Sequence, residues 1–276
     1  DGGVFVIKSP ARATKAMGRL MNYGAMRDEL LARKEAVAGD SAISGVKEKA
    51  LKQLARGEKS LTEHQGKELL ALYDIPITGE DVATSEEHAV QIVDKIGYPV
   101  ALKIDSPDIL HKTEAGGLKL NITNKDELVK AYNEVLDNCR KYDPKATING
   151  VLVQEMVKGG TEVIVGVNND PQFGPTIMFG LGGIFVEILK DVSLKVAPLA
   201  REDAMDMIKE IKGFKVLDGA RGREKMDINA IADVLVKVSR MALELEDTVA
   251  ELDINPLLVL PEGKGVCVAD ALVIKK

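Results

Sequence analysis

The sequence predicts an α/β protein in the α+β arrangement, with two lobes of helices and mixed sheets facing a common cleft. Three observations predict it. From Thr84 onward, stretches with helical apolar spacing alternate with short runs of strand spacing. Glycine pairs at 116–117, 159–160 and 182–183 break the strand runs where turns are needed. The chain has 276 residues, 45% of them hydrophobic, which is enough to bury a sizeable core in one or two domains.

Composition narrows the function. A net charge of −6 with mixed signs, 4% aromatics and no Trp gives no basic stripe with stacking rings, so no nucleic-acid partner is expected. No apolar run approaches the roughly 18 residues of a membrane helix, and no secretory leader is read. Cys139 and Cys267 lie far apart in apolar patterns and read as buried free thiols. A soluble, cytoplasmic protein is the expectation.

Taken in order, 2–7 reads as a short strand, and Ser9-Pro10 opens a helix running to about Arg33. Residues 1–36 are expected to be the tail of an upstream unit. Residues 38–57 show no apolar stripe, which places a linker over 37–60. The first lobe is expected over 61–150. Thr62 and Gln65 form a capping-box pattern ahead of Leu69, Leu70 and Leu72. Ser85 caps a helix striped by Ala89, Ile92, Val93 and Ile96, ended by Gly97 and Pro99. Strands follow at 100–104 and 118–122. A helix then opens at Asn124 and carries Leu128, Tyr132, Val135 and Cys139. The second lobe, 151–276, holds strands at 151–156, 162–167 and 176–179 and helices at 205–212 and 227–245. It closes with strands at 250–260 and 265–274 around a Pro-Glu-Gly turn.

Several residues could carry chemistry. Lys103 alternates with Val100, Leu102 and Ile104, so it faces away from them. Such a lysine either lies at a wet edge or meets an anion. The loop His111-Lys112-Thr113-Glu114-Ala115-Gly116-Gly117 combines a hydroxyl, a charge and paired glycines whose N–H groups could approach a phosphate. His111 in that setting could attack phosphorus, because imidazole is available in neutral form near pH 7. The plainer alternative is an exposed loop residue. His64 and His88 sit in helical patterns and read as structural.

Gln154-Glu155-Met156-Val157 ends one strand before a short break. Its main chain could pair with a base edge, and Glu162 beyond it could accept from ribose hydroxyls. Many hairpins share this look. The stretch 179–183 is glycine-rich but matches neither a dinucleotide fingerprint nor a Walker loop, and reads as a turn. In 250–256, Glu251, Asp253 and Asn255 share one strand face, about 6.5–7 Å apart. Asp270, in the last apolar strand, adds a carboxylate. Oxygen ligands so spaced suit hard cations bridged by phosphates, although a solvated strand face also alternates this way.

Lys103, the His111–Gly117 loop, the Gln154-Glu155-Met156 hinge and Asp253-Ile254-Asn255-Pro256 together resemble the ATP-grasp module of ADP-forming acyl-CoA synthetases, related to the β subunit of succinyl-CoA synthetase. The resemblance covers about 61–276, with the motifs in the same order. The segment before about Ala36 resembles the end of the CoA-ligase half of single-chain members.

The resemblance implies an ATP-grasp fold and the reaction acid + CoA + ATP = acyl-CoA + ADP + phosphate, run through a phosphohistidine with ATP/ADP and Mg2+. It implies a companion CoA-binding domain or subunit in a homo- or hetero-oligomer. By position, Lys103 with Gly116 and Gly117 would hold phosphates. Glu155, Met156 and Val157 would line the adenine pocket, and Glu162 would bind ribose. Asn255 and Asp270 would hold Mg2+ with Asp253 beside them. His111 would carry the phosphoryl group, and Arg221 would meet phosphate. A carboxylate–amine ligase and a nucleotide-sensing domain without turnover are the competing readings.

Overall fold

The computed structural model describes residues 9–39, 41–55, 59–109, 111–183, 191–222 and 224–276. The chain divides into two units, residues 1–44 and 45–276. Helix α1 (Pro10–Gly39) dominates the first, with Pro10 at its first position, and runs past the expected end at Arg33. Met17, Leu20, Met21, Tyr23 and Met26 on it are exposed. The strand expected over 2–7 lies outside the described residues.

Where a linker is expected, α2 (Ser41–Leu54) is helical, and its Ala50 and Leu54 are fully buried. Those two apolar residues, four apart, are enough to dock the helix end, although the surrounding Lys and Glu hide any stripe in the sequence.

Among the described residues, two sheets build the rest. The smaller has four strands in the order β2 (Glu80–Ala83), β5 (Gly150–Glu155), β3 (Val100–Asp105), β4 (Leu118–Ile122). Helices α4 (Glu86–Ile96) and α5 (Lys125–Tyr142) share its core, where Val100, Leu102 and Ile104 meet Ile92, Leu128 and Val135. Ser85 and Asn124 cap these helices as expected, their side chains accepting from the N–H groups of His88 and Glu127.

The larger sheet has seven strands. The path runs β1 (Ser60–Leu61), β11 (Ala271–Lys275), β9 (Val249–Val259), β6 (Thr161–Asp170), β7 (Gly174–Leu181), β8 (Val192–Val196), and β10 (Val266–Val268) pairs with β9 off this path. Its core takes in α3 (Glu63–Leu72), α6 (Arg201–Glu210) and α8 (Ile228–Glu244). Between α6 and α8 come the short α7 (Phe214–Leu217) and a 3-10 turn (Ala220–Gly222). The stripe of α8, Ile231, Leu235, Val238 and Ala242, is buried as its spacing predicts. Each full-size member contributes about 1.5–3 kcal/mol by leaving water.

The expected mixed sheets are antiparallel in every named ladder. Strands β2 and β3 are joined by α4, but β5 inserts between them and pairs antiparallel with both. The expected boundary at 150 also differs from the pairing. Strand β5 belongs to the smaller sheet, whereas β1 and α3 pack with the larger one. The single strand expected over 265–274 is split into β10 and β11, with Ala269 and Asp270 at the break. Both cysteines are free, Cys139 buried and Cys267 half-buried. Among the described residues no helix is long and apolar enough to cross a membrane.

Candidate active site between the two sheets

Strand β3 aims Lys103 out of its own core toward the larger sheet. The alternation requires this, since Val100, Leu102 and Ile104 are buried on the other side. The ammonium donates to Glu63 Oε1 at 2.6 Å and to the Ala269 carbonyl at 3.2 Å, and lies 3.9 Å from Asp270 Oδ2. Lys103 therefore meets anions and is not a wet-edge lysine.

Opposite it, the break after β10 holds Asp270, whose carbonyl accepts from the Asn255 N–H at 3.2 Å. In β9, Leu252 and Ile254 are buried while Glu251, Asp253 and Asn255 take the other face. Burial raises the Asp270 carboxyl above its usual range, and Glu63 adds to the rise against the pull of Lys103 and Lys112. Asp253 is raised by burial and by Asp270, partly offset by a hydrogen bond from Asn255. Carboxylates held against their preference for water in this way gain from a cation. No trio of His, Cys, Asp or Glu side chains among the described residues could enclose a metal alone. Two carboxylates and one amide do fit Mg2+, which keeps waters and takes phosphate oxygens as further ligands.

A cleft of about 550 Å³ is lined by Glu63, His111, Lys112, Asp253, Asn255 and Asp270. A neighbouring pocket of about 290 Å³ is lined by Lys103, His111, Lys112, Thr113 and Asp270. A concavity of about 690 Å³ lies on the open face of the larger sheet and shares Asp253, Leu272 and Ile274 with the cleft. It has no lysine in its lining, so anion chemistry belongs to the first two. His111 is exposed at the head of its loop.

The loop glycines behave differently from expectation. The N–H of Gly116 donates to the Thr113 carbonyl at 3.1 Å, and that of Gly117 to the Lys112 carbonyl at 2.7 Å, so neither is free for a phosphate here. Packing explains the residues instead. A Cβ on Gly117 would lie 2.8 Å from both Cys139 Sγ and Ile104 Cγ2, and Gly116 has φ +64° against Asn138.

Residues 156–160 connect the two sheets, between β5 and β6. In detail, the Glu155 carboxylate accepts from the Gly79 N–H at 2.6 Å, and Met156 Sδ from the Asn121 N–H at 3.0 Å. A base edge would therefore meet main chain there, not the Glu155 side chain. Glu155 sits opposite Val100, three residues or about 10 Å along the strand from Lys103. Val157 is half-buried in the connection, and Glu162 is exposed near the start of β6. Neither lines the cleft or the neighbouring pocket that holds Lys103. Arg221 lies in the 3-10 turn, and its side chain is outside those described.

Sequence reasoning missed two residues. Glu63 is buried between three lysines. Its Oε1 takes Lys103 and Lys67 at 2.6 and 3.0 Å, and its Oε2 takes Lys112 at 2.7 Å. Burial raises its pKa, but the fields of Lys103, Lys67 and Lys112 outweigh this and hold it to about 2. Lys67 is fully buried and also pairs with Glu80 at 2.6 Å. The available signal was the i,i+4 Glu63–Lys67 pair just inside a capping box, which reads as ordinary helix surface.

A family model described as an ATP-grasp domain matches residues 52–274. The β subunit of acetate–CoA ligase [ADP-forming] II from Pyrococcus furiosus is 48% identical over 223 residues, covering 81% of this chain and 94% of that protein. The acetyl-coenzyme A synthetase 1 of Ca. Korarchaeum cryptofilum, solved with coenzyme A and Ca-AMPCP, superposes with a TM-score of 0.77 at 48% identity. That match covers 82% of this chain and 97% of the other. Another structure of the same synthetase holds coenzyme A and Mg-AMPPCP, with a phosphohistidine segment pointing towards the nucleotide site. It matches with a TM-score of 0.71 at 45% identity, covering 82% and 97%.

Proposed function

Because the chain belongs to the ATP-grasp family, in the branch of the ADP-forming acid–CoA ligase β subunits, we propose that it binds ATP or ADP with Mg2+ in this cleft. There it exchanges a phosphoryl group with His111, as the nucleotide half of acid + CoA + ATP = acyl-CoA + ADP + phosphate. The observation that carries this reading is the convergence of Lys103, His111, Lys112 and Asp270 on one pocket.

Phosphoryl transfer asks a protein chiefly for position and charge compensation. The Lys103 ammonium compensates the phosphate oxygens. Asp253, Asn255 and Asp270 would hold Mg2+, which would supply further charge compensation as a Lewis acid. A ring nitrogen of His111 attacks the terminal phosphorus, the bond to the leaving oxygen breaks, and that oxygen keeps the electron pair in ADP. In the reverse direction ADP attacks phosphohistidine. The main chain of Glu155, Met156 and Val157 meets adenine, Glu162 meets ribose, and Arg221 meets phosphate. CoA and the acid bind on a companion subunit or domain, consistent with the β-subunit name of the Pyrococcus relative. Two free thiols fit a reducing cytoplasm.

Incubation of the complex with labelled ATP and Mg2+ should give an acid-labile, base-stable phosphoprotein. His111→Ala should abolish the label while keeping ATP affinity within about threefold, since the imidazole adds little to ground-state binding. Full label on the variant would remove His111 from the reaction.

A further inference from the structure

The proposed nucleotide site has a buried carboxylate at its centre that needs a role of its own. Glu63 is the first residue of α3, held there by the Thr62–Gln65 capping box, in which each partner bonds the other's main chain at 3.1 and 3.4 Å. Its side chain is 2% exposed. Its two oxygens are divided. One takes Lys103, which lines the neighbouring pocket, together with Lys67. The other takes Lys112, the residue directly after His111. Lys112 has no other ion-pair partner among the described residues. The ammonium groups of Lys103 and Lys112 thus converge on a single carboxylate, and without it they would repel each other in a half-buried pocket.

The geometry points to Glu63 as a positioning residue that acts through both lysines. It aims Lys103 at the incoming phosphates, and through Lys112 it keeps the His111 loop seated in the cleft. This deepens the proposed function and rests on it. A phosphate that draws Lys103 away leaves Glu63 Oε1 satisfied by Lys67, so the loop tether on Oε2 survives nucleotide binding. Release of the His111 end of the loop then requires breaking one charge-assisted contact, Lys112 to Glu63. Asn138 and the Ile104 N–H keep hold of the Gly116 and Gly117 carbonyls at the other end.

The test uses the full chain, with Mg-ADP calorimetry and hydrogen exchange read by mass spectrometry. Wild type must bind Mg-ADP, and a failure there sinks the proposed function and not the role of Glu63. Glu63→Gln should weaken Mg-ADP binding about tenfold and speed exchange across 111–117 about tenfold, the value of one lost charge-assisted bond. Lys112→Gln should speed the same segment equally. The double variant should exchange no faster than either single one, because both changes break the same contact. Exchange that rises evenly along the whole chain, or unchanged Mg-ADP affinity in Glu63→Gln, would reduce Glu63 to a structural group and overturn the proposal. Should Glu63→Gln fail to fold, Lys112→Gln decides alone, and wild-type exchange at 111–117 in that variant refutes the tether.

Discussion

Gly117 shows how a residue can be read correctly as special and wrongly as to why. The sequence places it beside a charged loop, and a phosphate cradle is the natural inference. The structure gives its N–H to the Lys112 carbonyl and its missing side chain to Cys139 and Ile104. Gly117→Ala is therefore expected to destabilise the chain by about 1–3 kcal/mol through overpacking, read as a lower denaturant midpoint. Asp270 tests the opposite kind of residue. If Asp270 holds Mg2+ as proposed, Asp270→Ala should abolish the Mg2+-dependent part of nucleotide binding, because the proposed site then keeps one carboxylate, and equal ATP affinity with and without Mg2+ would show it. Unchanged calorimetry would take the cation away from Asp270. Lys103, Asp253 and Asn255 were legible because a period of two alone decides which way they face. Glu63 was not, because its lysines arrive from 4, 40 and 49 residues away along the chain.

Among the elements, α3 carries the most information for its length. The capping box and the leucines announced it, but not that its polar face would be buried against the smaller sheet. His64 on that face bonds Glu80 through Nδ1 at 3.1 Å. This bond raises its pKa above 6.5, burial opposes the rise, and the charges of Glu80, Glu68 and Asp105 assist it. A raised histidine pKa favours the folded state when the ring is protonated. The contribution is complete below about pH 6.5 and disappears as pH climbs through the raised value. The stability gap between wild type and His64→Gln should accordingly be widest in mild acid and narrow in alkali, measured by urea unfolding across pH. A gap independent of pH would leave His64 a packing residue only. The amphipathic helices were readable from their stripes and caps. The short β2 and the edge strand β8 were not, since four or five residues carry too little alternation to register. Strand order was hidden for another reason: β5 follows both neighbours in sequence yet lies between β2 and β3.

At the scale of the molecule, the two sheets meet through polar contacts whose partners no local pattern reveals. Lys67 from α3 reaches Glu80 in β2, and Gln154 in β5 donates to the Ala269 carbonyl beside Asp270 at 2.9 Å. Thr78 bonds Lys67, Glu80 and Gln154 within this junction. Lys67 is the member with no access to water, so its removal strands charge that cannot be rehydrated. Among the described residues, Glu63 would keep Lys103 and Lys112, but Glu80 would retain only His64 and Thr78. Lys67→Met should therefore destabilise the chain by about 3–5 kcal/mol, the usual cost of leaving a buried charge without its partner. Adding Glu80→Gln should recover part of that loss, because the stranded charge is then gone. The denaturant slope distinguishes how the sheets are coupled. If Lys67 joins them into one cooperative unit, the single variant should show a shallower transition along with its lower midpoint. A lower midpoint at unchanged slope would assign the coupling to Gln154 and the main-chain contacts, and an unmoved midpoint would show that the buried lysine contributes nothing to the junction.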